Sequence, residues 1–478
     1  MNSKSKAYYL SSTGDDNNAG TIKSPWKTIK KINAVTLFPG DSFFLKGGDS
    51  FNGPFLLDNS SHGKKDMPIV ITSYGEGRAV LYGGKSSAIQ IKNTRFVTIQ
   101  NLELKGVGRK NGNTSDGLLI SNSDNIIVTD LDVSGFRNAG VSVYTSSFVH
   151  ITKVEAHENG FAGIAVSGVY QNKASCTNIY IGYCNAFNNP GSPVILDNHS
   201  GNGIVAGSCS KVLIEYCTAT NNGWDMPRKG NGPVGIWCYE ADSVTIQHCI
   251  SYLNKTSAGG GDGGGFDLDG GVTNSIIQYC LSYQNQGSGY GIFQYAGASA
   301  WLNNIIRFNI SENDGEVSEA GAGIYIWNSS EDSMQFQNCS FYNNTIYNRK
   351  GAAINYAPLS KRKGFVFYNN IFVAAESLLK RNKLNDIFFA NDWWSIKNKS
   401  VQVNPGEFNI DPGFNLTDDL NPTSCDKLAN FNRYKIAASS PLQNSGIDLT
   451  NMFGIATLVN DFNGDPAPVK GIGACFKK

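Results

Sequence analysis

The sequence lacks any apolar run that approaches the roughly 20 residues needed to span a membrane. It also has little excess charge, because 40 Lys and Arg residues nearly balance 39 Asp and Glu residues and the formal net charge is +1. The longest basic run is only Lys361-Arg362-Lys363. Binding to nucleic acid would require a concentrated basic face. We therefore expect no membrane-spanning segment and no nucleic-acid partner.

Long runs with a 3.6-residue periodicity are missing too, which argues against a helical solenoid. What the chain has instead is a repeat of about 30 residues. Four of the ten cysteines, at positions 184, 217, 249 and 280, are 33, 32 and 31 residues apart, and this spacing predicts a buried stack of small side chains. An asparagine follows five residues after each stacked cysteine. In the later coils, Phe308 and Cys339 are expected to occupy the position of the stacked cysteine. The asparagine series is Asn189, Asn222, Asn254, Asn285, Asn313 and Asn344.

Asparagine tolerates the left-handed backbone of a sharp corner, and stacked asparagines can hydrogen-bond in a ladder. Short apolar strands precede these corners, and a second set of strands follows after Gly-rich turns. Coils of this kind predict an all-β, single-stranded parallel β-helix. We expect the coils at residues 68–375, after an N-terminal entry segment and cap (1–67) and before an irregular C-terminal segment packed on the helix (376–478).

Within the entry segment, Ser24 is predicted to be the N-cap and Pro25 the first residue of a short capping helix. Its apolar stripe, formed by Trp26, Ile29, Ile32 and Val35, would cover the open end of the β-helix. Two cysteines outside the stack, Cys425 and Cys475, leave open whether a disulfide joins them.

The most informative segment is Gly-Gly-Gly-Phe-Asp-Leu-Asp-Gly-Gly at residues 263–271. Asp267 and Asp269 are two residues apart on a predicted strand, so both carboxylates should leave the same exposed face, with Cα atoms about 6.5–7 Å apart. Glycosidases use one carboxyl group as an acid and another as a base or nucleophile. Asp262, in the preceding glycine turn, is a third candidate and a potential proton donor. Glu319, in the equivalent turn two coils later, is a fourth.

Aromatic residues occupy the outward positions of the neighbouring predicted strands. Aligning each strand on its Gly-apolar start places Trp237, Asp267, Phe293 and Tyr325 in one column, and Tyr239, Asp269, Tyr295 and Trp327 in the next. Because aromatic faces suit sugar C–H faces, these six aromatic residues are predicted to line a carbohydrate groove around the acids.

Other interpretations of these residues stay open. Asp267 and Asp269 could form a solvated face or bind Ca²⁺, and the aromatic residues could pack under a loop. His199 could be a general base or an uninvolved loop residue. Arg228 and Lys229 could meet an acidic sugar or form a solvated loop tip.

The chain also resembles the pectate-lyase-like right-handed parallel β-helix superfamily, whose members act mainly on polysaccharides. The opening is similar to the entry segment of that superfamily, with Tyr8-Tyr9 leading into Asp15-Asp-Asn-Asn-Ala-Gly20, and the close is similar at Asp461-Phe-Asn-Gly-Asp-Pro466. One branch carries a Gly-x-Gly-Phe-Lys-Leu-Gly-Gly strand with a lysine base. Asp267 stands at the lysine position here, and this departure favours glycoside hydrolysis over β-elimination.

The sequence thus predicts a glycoside hydrolase that cleaves a poly- or oligosaccharide without a resident cofactor, with Ca²⁺ left open. The alternatives are a polysaccharide lyase, with Lys229 or His199 as base, and a non-catalytic glycan-binding β-helix. Residues 1–6 lack a signal-peptide core. Because such glycans lie outside cells, we expect a mature secreted, periplasmic or cell-surface form, and a monomer.

Overall fold

The computed structural model describes residues 5–315, 321–358, 360–375, 377–380, 385–399, 401–417, 421–452 and 460–477. The chain divides into two compact units. The first unit comprises residues 1–212 and 222–228, and the second comprises residues 213–221 and 229–478. Both consist of short parallel β-strands, and the described part of the chain contains no helix long and apolar enough to cross a membrane.

The first unit contains one short α-helix, α1 (Ile29–Asn33), and a 3₁₀ helix at Lys173–Ser175. Its strands are β1 (Ala7–Leu10), β2 (Ser42–Lys46), β3 (Ser50–Asn52), β4 (Phe55–Leu57), β5 (Ile69–Tyr74), β6 (Ala79–Gly84), β7 (Ile89–Lys92), β8 (Arg95–Gly106), β9 (Leu118–Ser121), β10 (Asp124–Ser134), β11 (Ala139–Tyr144), β12 (Ser147–His157), β13 (Ala162–Ser167), β14 (Thr177–Gly182), β15 (Asn185–Phe187) and β16 (Asn202–Gly207). The next strand, β17 (Ser210–Glu215), carries the chain from the first unit into the second.

The second unit contains 3₁₀ helices at Ser333–Gln335, Cys425–Asn430 and Pro441–Gln443. Its strands are β18 (Thr218–Thr220), β19 (Val234–Tyr239), β20 (Asp242–Gln247), β21 (Ile250–Tyr252), β22 (Gly264–Leu268), β23 (Ile276–Gln278), β24 (Leu281–Tyr283), β25 (Tyr290–Gln294), β26 (Trp301–Arg307), β27 (Ile310–Glu312), β28 (Ala322–Asn328), β29 (Phe336–Tyr342), β30 (Thr345–Asn348), β31 (Ala352–Tyr356), β32 (Lys363–Tyr368), β33 (Ile371–Ala374), β34 (Ser377–Lys380), β35 (Ile387–Phe389) and β36 (Asp392–Ser395).

Every third strand of the second unit pairs in parallel, so each coil contributes one strand to each of three faces. The first face is the series β19-β22-β25-β28-β31-β34. The second face begins with β20 and β23, and the third begins with β21 and β24. Alternate residues point inward, and the inner columns of the first face, such as Ile324 beside Ile354, are fully buried. Each such aliphatic side chain contributes about 1.5–3 kcal/mol when it leaves water. This is the predicted parallel β-helix.

Strand pairing extends beyond residues 68–375 at both ends of that range. In the first unit, Ala7–Leu10 already pairs with Ser42–Lys46, and in the second unit Ile371–Ala374 pairs with Asp392–Ser395. Residues after 421 pack beside the third face, where Phe431 and Ile436 join a buried cluster with Leu281 and Ile310.

The helix near the N-terminus differs from its prediction. The helix begins at Ile29, and its N-cap is Thr28, whose hydroxyl accepts a hydrogen bond from the Lys31 N–H. The Asn33 side chain accepts from the Leu56 N–H and donates to the Pro54 carbonyl, which places α1 along β4. Ser24 instead closes a turn with Thr21, in which the two backbones bond to each other, and Pro25 follows this turn outside the helix.

The cysteine stack in the second unit continues as an asparagine ladder. Cys217, Cys249 and Cys280 occupy the corner before the third face, and Asn309 follows, because its side-chain oxygen accepts from the Cys280 N–H at 2.9 Å. Asn344, Asn370 and Asn391 extend the series. Phe308 and Cys339 therefore do not take the predicted cysteine position, and Asn344, which was predicted for the other corner, belongs to this stack. Cys425 and Cys475 are both free thiols, as are the other eight cysteines.

The other corner carries the second ladder. In the first unit Asn159, Asn189 and Asn222 bond in series. In the second unit Asn254 is followed by Asn285 and then by Asp314. Asn313 was predicted for this last position, but it precedes the corner in the left-handed conformation (φ 54°). A column of glycines follows this corner, including Gly235, Gly265 and Gly289, and a Cβ on Gly265 would lie 2.9 Å from the Gly289 carbonyl.

Candidate active site

The predicted acid strand forms β22. Phe266 and Leu268 point into the core and are fully buried, so Asp267 points to the opposite face. It pairs with Trp237 of β19, as predicted, but its partner in β25 is Gly291. Phe293 was predicted for that position. It pairs instead with Trp327, and Tyr325 pairs with Gly291.

The observed pairing of β25 differs from the predicted pairing by two residues, because two glycines could each have marked the start of this strand. Both Gly289 and Gly291 precede an apolar residue, but Gly289 is the one that joins the glycine column. Tyr290 then takes the inward position, where its ring stacks on Phe266 with a centroid distance of 5.5 Å. Its hydroxyl donates to the carbonyls of Cys280 and Ile310, so the buried polar atom is satisfied.

The prediction of an exposed strand is wrong for Asp267, which is only 2% exposed. Trp237 and Phe293 are buried as well, at 3% and 8% exposure, so neither is an open sugar platform. The Phe293 ring lies over Gly291: a Cβ built there would be 2.7 Å from the ring and 3.2 Å from Cγ of Asp267. The missing side chain at Gly291 thus lets Phe293 cover this part of the site.

Asp262 and Asp269 are half-buried and so keep some access to solvent. Asp262 lies in the glycine turn in the left-handed conformation (φ 56°), and its Oδ2 accepts a hydrogen bond from the Gly232 N–H at 2.7 Å. Asp269 follows β22, and its Oδ1 accepts from the Gly270 N–H at 2.7 Å. Each carboxyl group is therefore oriented by one backbone donor.

The environment favours protonation of all three aspartates. Burial raises the pKa of Asp262 to about 6. Burial, with the charges of Asp262 and Glu240, raises the pKa of Asp269 to about 7. The pKa of Asp267 is raised well above its ordinary value by burial and by the other two acids. None of the three has an ion-pair partner in the part of the chain that the structure describes.

Asp267 has a further distinguishing feature. No described residue donates a hydrogen bond to its buried Oδ1, whereas Glu240 accepts a hydrogen bond from the Ser299 N–H at Oε1. A buried ionised carboxylate without partners would be very costly, so Asp267 is the carboxyl group that holds a proton most firmly. A cluster of this kind divides into protonated and ionised members near neutral pH, which is what general acid–base chemistry requires.

Glu240 belongs to this cluster, although the sequence prediction missed it. It follows β19 directly, is fully buried and accepts a hydrogen bond from the Ser299 N–H at 2.7 Å. The available signal was its position one residue after Tyr239, at the end of the strand that precedes the acid strand.

The remaining predicted aromatic residues are half-buried around the acids. Tyr239 lies 5.4 Å from Trp237 between ring centroids, and Tyr325 and Trp327 meet the Phe293 ring edge-on at 5.8 and 6.2 Å. Tyr295 packs on Gly270, immediately after Asp269.

The predicted residues outside this cluster have other surroundings. In the first unit, His199 is buried against Phe161, and the Asn202 amide lies 2.9 Å from its Nδ1. Burial and, to a lesser degree, the charge of Arg228 lower the pKa of His199 to about 4. Lys229 is exposed in the second unit, and Glu319 lies outside the described residues. No group of three or more His, Cys, Asp or Glu side chains in the described ranges is arranged to hold a metal ion.

A family model described as Pel9A-like, right-handed β-helix region matches residues 8–315. The chain belongs to this family. The match includes the three aspartates, Trp237 and Phe293, so the Pel9A-like region contains most of the candidate site.

The Pel9A-like fold is shared with proteins of distant sequence. A lacto-N-biosidase from Bifidobacterium longum subsp. longum is 24% identical over 80% of this chain, and the match spans only 30% of that relative. The crystal structure of GH136 lacto-N-biosidase from Eubacterium ramulus has a TM-score of 0.53 at 18% identity, covering 79% of this chain and 68% of that one. A PL6 family alginate lyase has a TM-score of 0.50 at 15% identity, covering 82% and 54%.

Proposed function

We propose that this protein is a glycoside hydrolase in which Asp262 and Asp269 act on the glycosidic bond and Asp267 holds a proton behind them. The observation that carries the proposal is the cluster of three aspartates without ion-pair partners, two of them half-buried. Hydrolysis of a glycosidic bond needs one protonated and one ionised carboxyl group on opposite sides of the bond.

The exposures favour Asp262 and Asp269 as the pair that meets the sugar. Both retain solvent access, whereas Asp267 is 2% exposed beneath the Phe293 ring. With pKa values of about 6 and about 7, the pair holds about one proton between these two pH values. The two carboxyl groups titrate as a unit, so the proton belongs to the pair.

The half-buried aromatic residues would supply the sugar-binding surface. Tyr239 and Tyr295 are next to Asp269, while Tyr325 and Trp327 are one coil beyond Gly291. Aromatic rings with one accessible edge or face pack against sugar C–H groups and leave the sugar hydroxyls free to bond elsewhere. Trp237 packs against Tyr239, and Phe293 packs against Tyr325 and Trp327, so both would hold these rings in place.

The relatives support a glycan substrate. Both the curated relative and the solved structure from Eubacterium ramulus are named lacto-N-biosidases. Glycosides and oligosaccharides that carry a lacto-N-biose unit are therefore the first substrates to test. Because such glycans are extracellular, we also propose that the protein acts outside the cytoplasm, and as a monomer.

The test is a glycan-library digest with product analysis by mass spectrometry, followed by Asp262→Asn and Asp269→Asn. Each variant should lose roughly 10²-fold or more in turnover, because each removes a group that transfers a proton or attacks the sugar. Asp267→Asn replaces a protonated carboxyl with a neutral isostere and should lose much less. Circular dichroism would check folding. Full activity in both Asp262→Asn and Asp269→Asn would refute the proposal.

The lyase alternative would give an unsaturated product that absorbs near 235 nm and, if a metal is needed, sensitivity to EDTA. The alginate lyase neighbour shares the fold alone, and the surroundings of the candidate residues do not favour lyase chemistry. The candidate base His199 is buried, with its Nδ1 engaged by Asn202, and Asp267 stands where the lysine base would be. Reducing ends without that absorbance would support the hydrolase, and binding without any product would support a glycan-binding protein.

A further inference from the structure

We propose that Glu240 is a positioning residue that fixes the turn after Asp269 and places a buried negative charge beside the Asp269 carboxyl group. This inference depends on the proposed function only for its effect on activity. Its structural basis is separate and consists of the contacts that Glu240 makes on either side of the acid strand.

Glu240 is bound to the turn that carries Asp269. Its own N–H donates to the Gly270 carbonyl at 2.7 Å, and the Asp269 N–H donates to the Cys238 carbonyl at 2.9 Å. The carboxyl group of Glu240 lies over Gly271, where an added Cβ would be 2.5 Å from Cδ of the glutamate. Glycine at 271 therefore makes the space that the carboxyl group fills.

Glu240 is also bound to the next coil. Its Oε1 accepts a hydrogen bond from the Ser299 N–H, in the turn where Tyr295 packs on Gly270. Gln294 links the same two turns without a charge: its Oε1 accepts from the Gly271 N–H at 3.0 Å, and its Nε2 donates to the Ser299 carbonyl at 3.0 Å. Glu240 and Gln294 thus stabilise the same two turns, but only Glu240 adds a carboxyl charge.

The titratable groups around Asp269 do not cancel that charge. They are Asp262 from the glycine turn, Asp267 from β22, Glu240 after β19, and the tyrosines Tyr239 and Tyr295. A negative charge next to a carboxyl group disfavours ionisation, so Glu240 helps the Asp262–Asp269 pair keep its proton toward neutral pH. Without Glu240, both groups of the pair would be ionised over more of that range.

The decisive measurement is the pKa of Asp269 in wild type, Glu240→Gln and Gln294→Met. It is obtained by NMR on protein with ¹³Cγ-labelled aspartate, and the resonance is assigned from its loss in Asp269→Asn. Glu240→Gln should lower this pKa by about one unit, whereas Gln294→Met, which disturbs the same turns without a charge change, should leave it in place. An unchanged pKa in Glu240→Gln would overturn the inference.

Activity gives the second readout. In Glu240→Gln the high-pH limb of kcat/KM should move down by about one unit, because the acid loses its proton earlier. Gln294→Met should lower activity equally at all pH values. Should Glu240→Gln fail to fold, Glu240→Asp withdraws the charge by one methylene and should give a smaller shift in the same direction. Failure of the proposed function leaves the NMR result intact, so the two outcomes are distinguishable.

Discussion

Replacing Asp314 by asparagine should stabilise this protein above pH 5. Asp314 is fully buried at the end of the second-unit ladder, where each other member is asparagine. Burial raises its pKa to about 7, although hydrogen bonds from Ser311 and Asn285 act in the opposite direction. The folded state therefore binds a proton that the unfolded chain releases near pH 4.

The sign and size follow from proton linkage. Below about pH 4 the carboxyl group is protonated in both states and causes no loss of stability. Between about pH 4 and 7 the unfolded state ionises first, so the free energy of unfolding falls by about 1.4 kcal/mol per pH unit. A shift of about three units corresponds to about 4 kcal/mol above pH 7, as an upper limit.

An asparagine at position 314 can form hydrogen bonds with the same two partners as Asp314. Its side-chain oxygen would still accept from Asn285, and its amide would donate to the Ser311 hydroxyl, as the amide of Asn254 does to Ser251 in an earlier coil. The Ser311 hydroxyl, which now donates to Asp314, would then donate to a backbone carbonyl, as the Ser251 hydroxyl does to Gly265. No new unsatisfied group arises, so the charge penalty should be the main difference.

The assay is urea unfolding of wild type and Asp314→Asn at pH 5 and pH 8, followed by tryptophan fluorescence. The variant should be more stable by about 1–2 kcal/mol at pH 5 and by up to about 4 kcal/mol at pH 8. The other buried acids are present in both proteins and cancel in the comparison. Asp66→Asn, at an exposed site, is the matched control and should change nothing. An equal difference at both pH values, or a less stable variant at pH 8, would refute the reasoning.

Two further changes probe packing in the second unit. Arg362→Met should cost about 3–5 kcal/mol in urea unfolding, because it leaves the carboxylate of Asp386 buried without the guanidinium that now binds it at 2.7 Å; a loss below 1 kcal/mol would contradict this. Gly291→Ala should keep the fold but lower kcat/KM, because the new methyl group would displace the Phe293 ring and press on Asp267; unchanged kinetics would show that this ring does not shape the site.

Much of the architecture was predictable because the repeat is encoded in corner residues. The spacing of cysteines and asparagines identified the coils, and the pairing of Trp237 with Asp267 followed from aligning strands on their glycines. Where two glycines competed, the alignment failed: Gly289 and Gly291 look alike in sequence, and only the burial of Tyr290 distinguishes them.

Single-residue offsets at corners were equally hard to predict. A left-handed residue and a ladder residue are adjacent at each corner, and asparagine suits both, so Asn313 was taken for the ladder position that Asp314 occupies. Cysteine and asparagine also exchange in the other stack, where Asn309 follows Cys280. Both errors reflect the chemistry of asparagine, which satisfies two different backbone requirements.

Asp267 lies on the predicted strand, but its burial was not predicted, and Asp269 follows the strand instead of belonging to it. A period-2 pattern tells which face a side chain leaves, and Asp267 does leave the face opposite Phe266. It does not tell what lies above that face, because this depends on the rotamer of Phe293 in another coil. Glu240 was missed for a similar reason: its distance from Asp269 arises from turns that no periodicity describes.

The segment between each ladder residue and the next glycine of the column differs in length from coil to coil. In the first unit the intervening segment is 160–162 in one coil and 190–202 in the next; in the second unit it is 255–264 and then 286–288. Since closing a longer loop costs little extra entropy, insertions at this edge need not disturb strand register. The surface that these segments form can therefore be reshaped by changes of length, while the coils beneath stay the same.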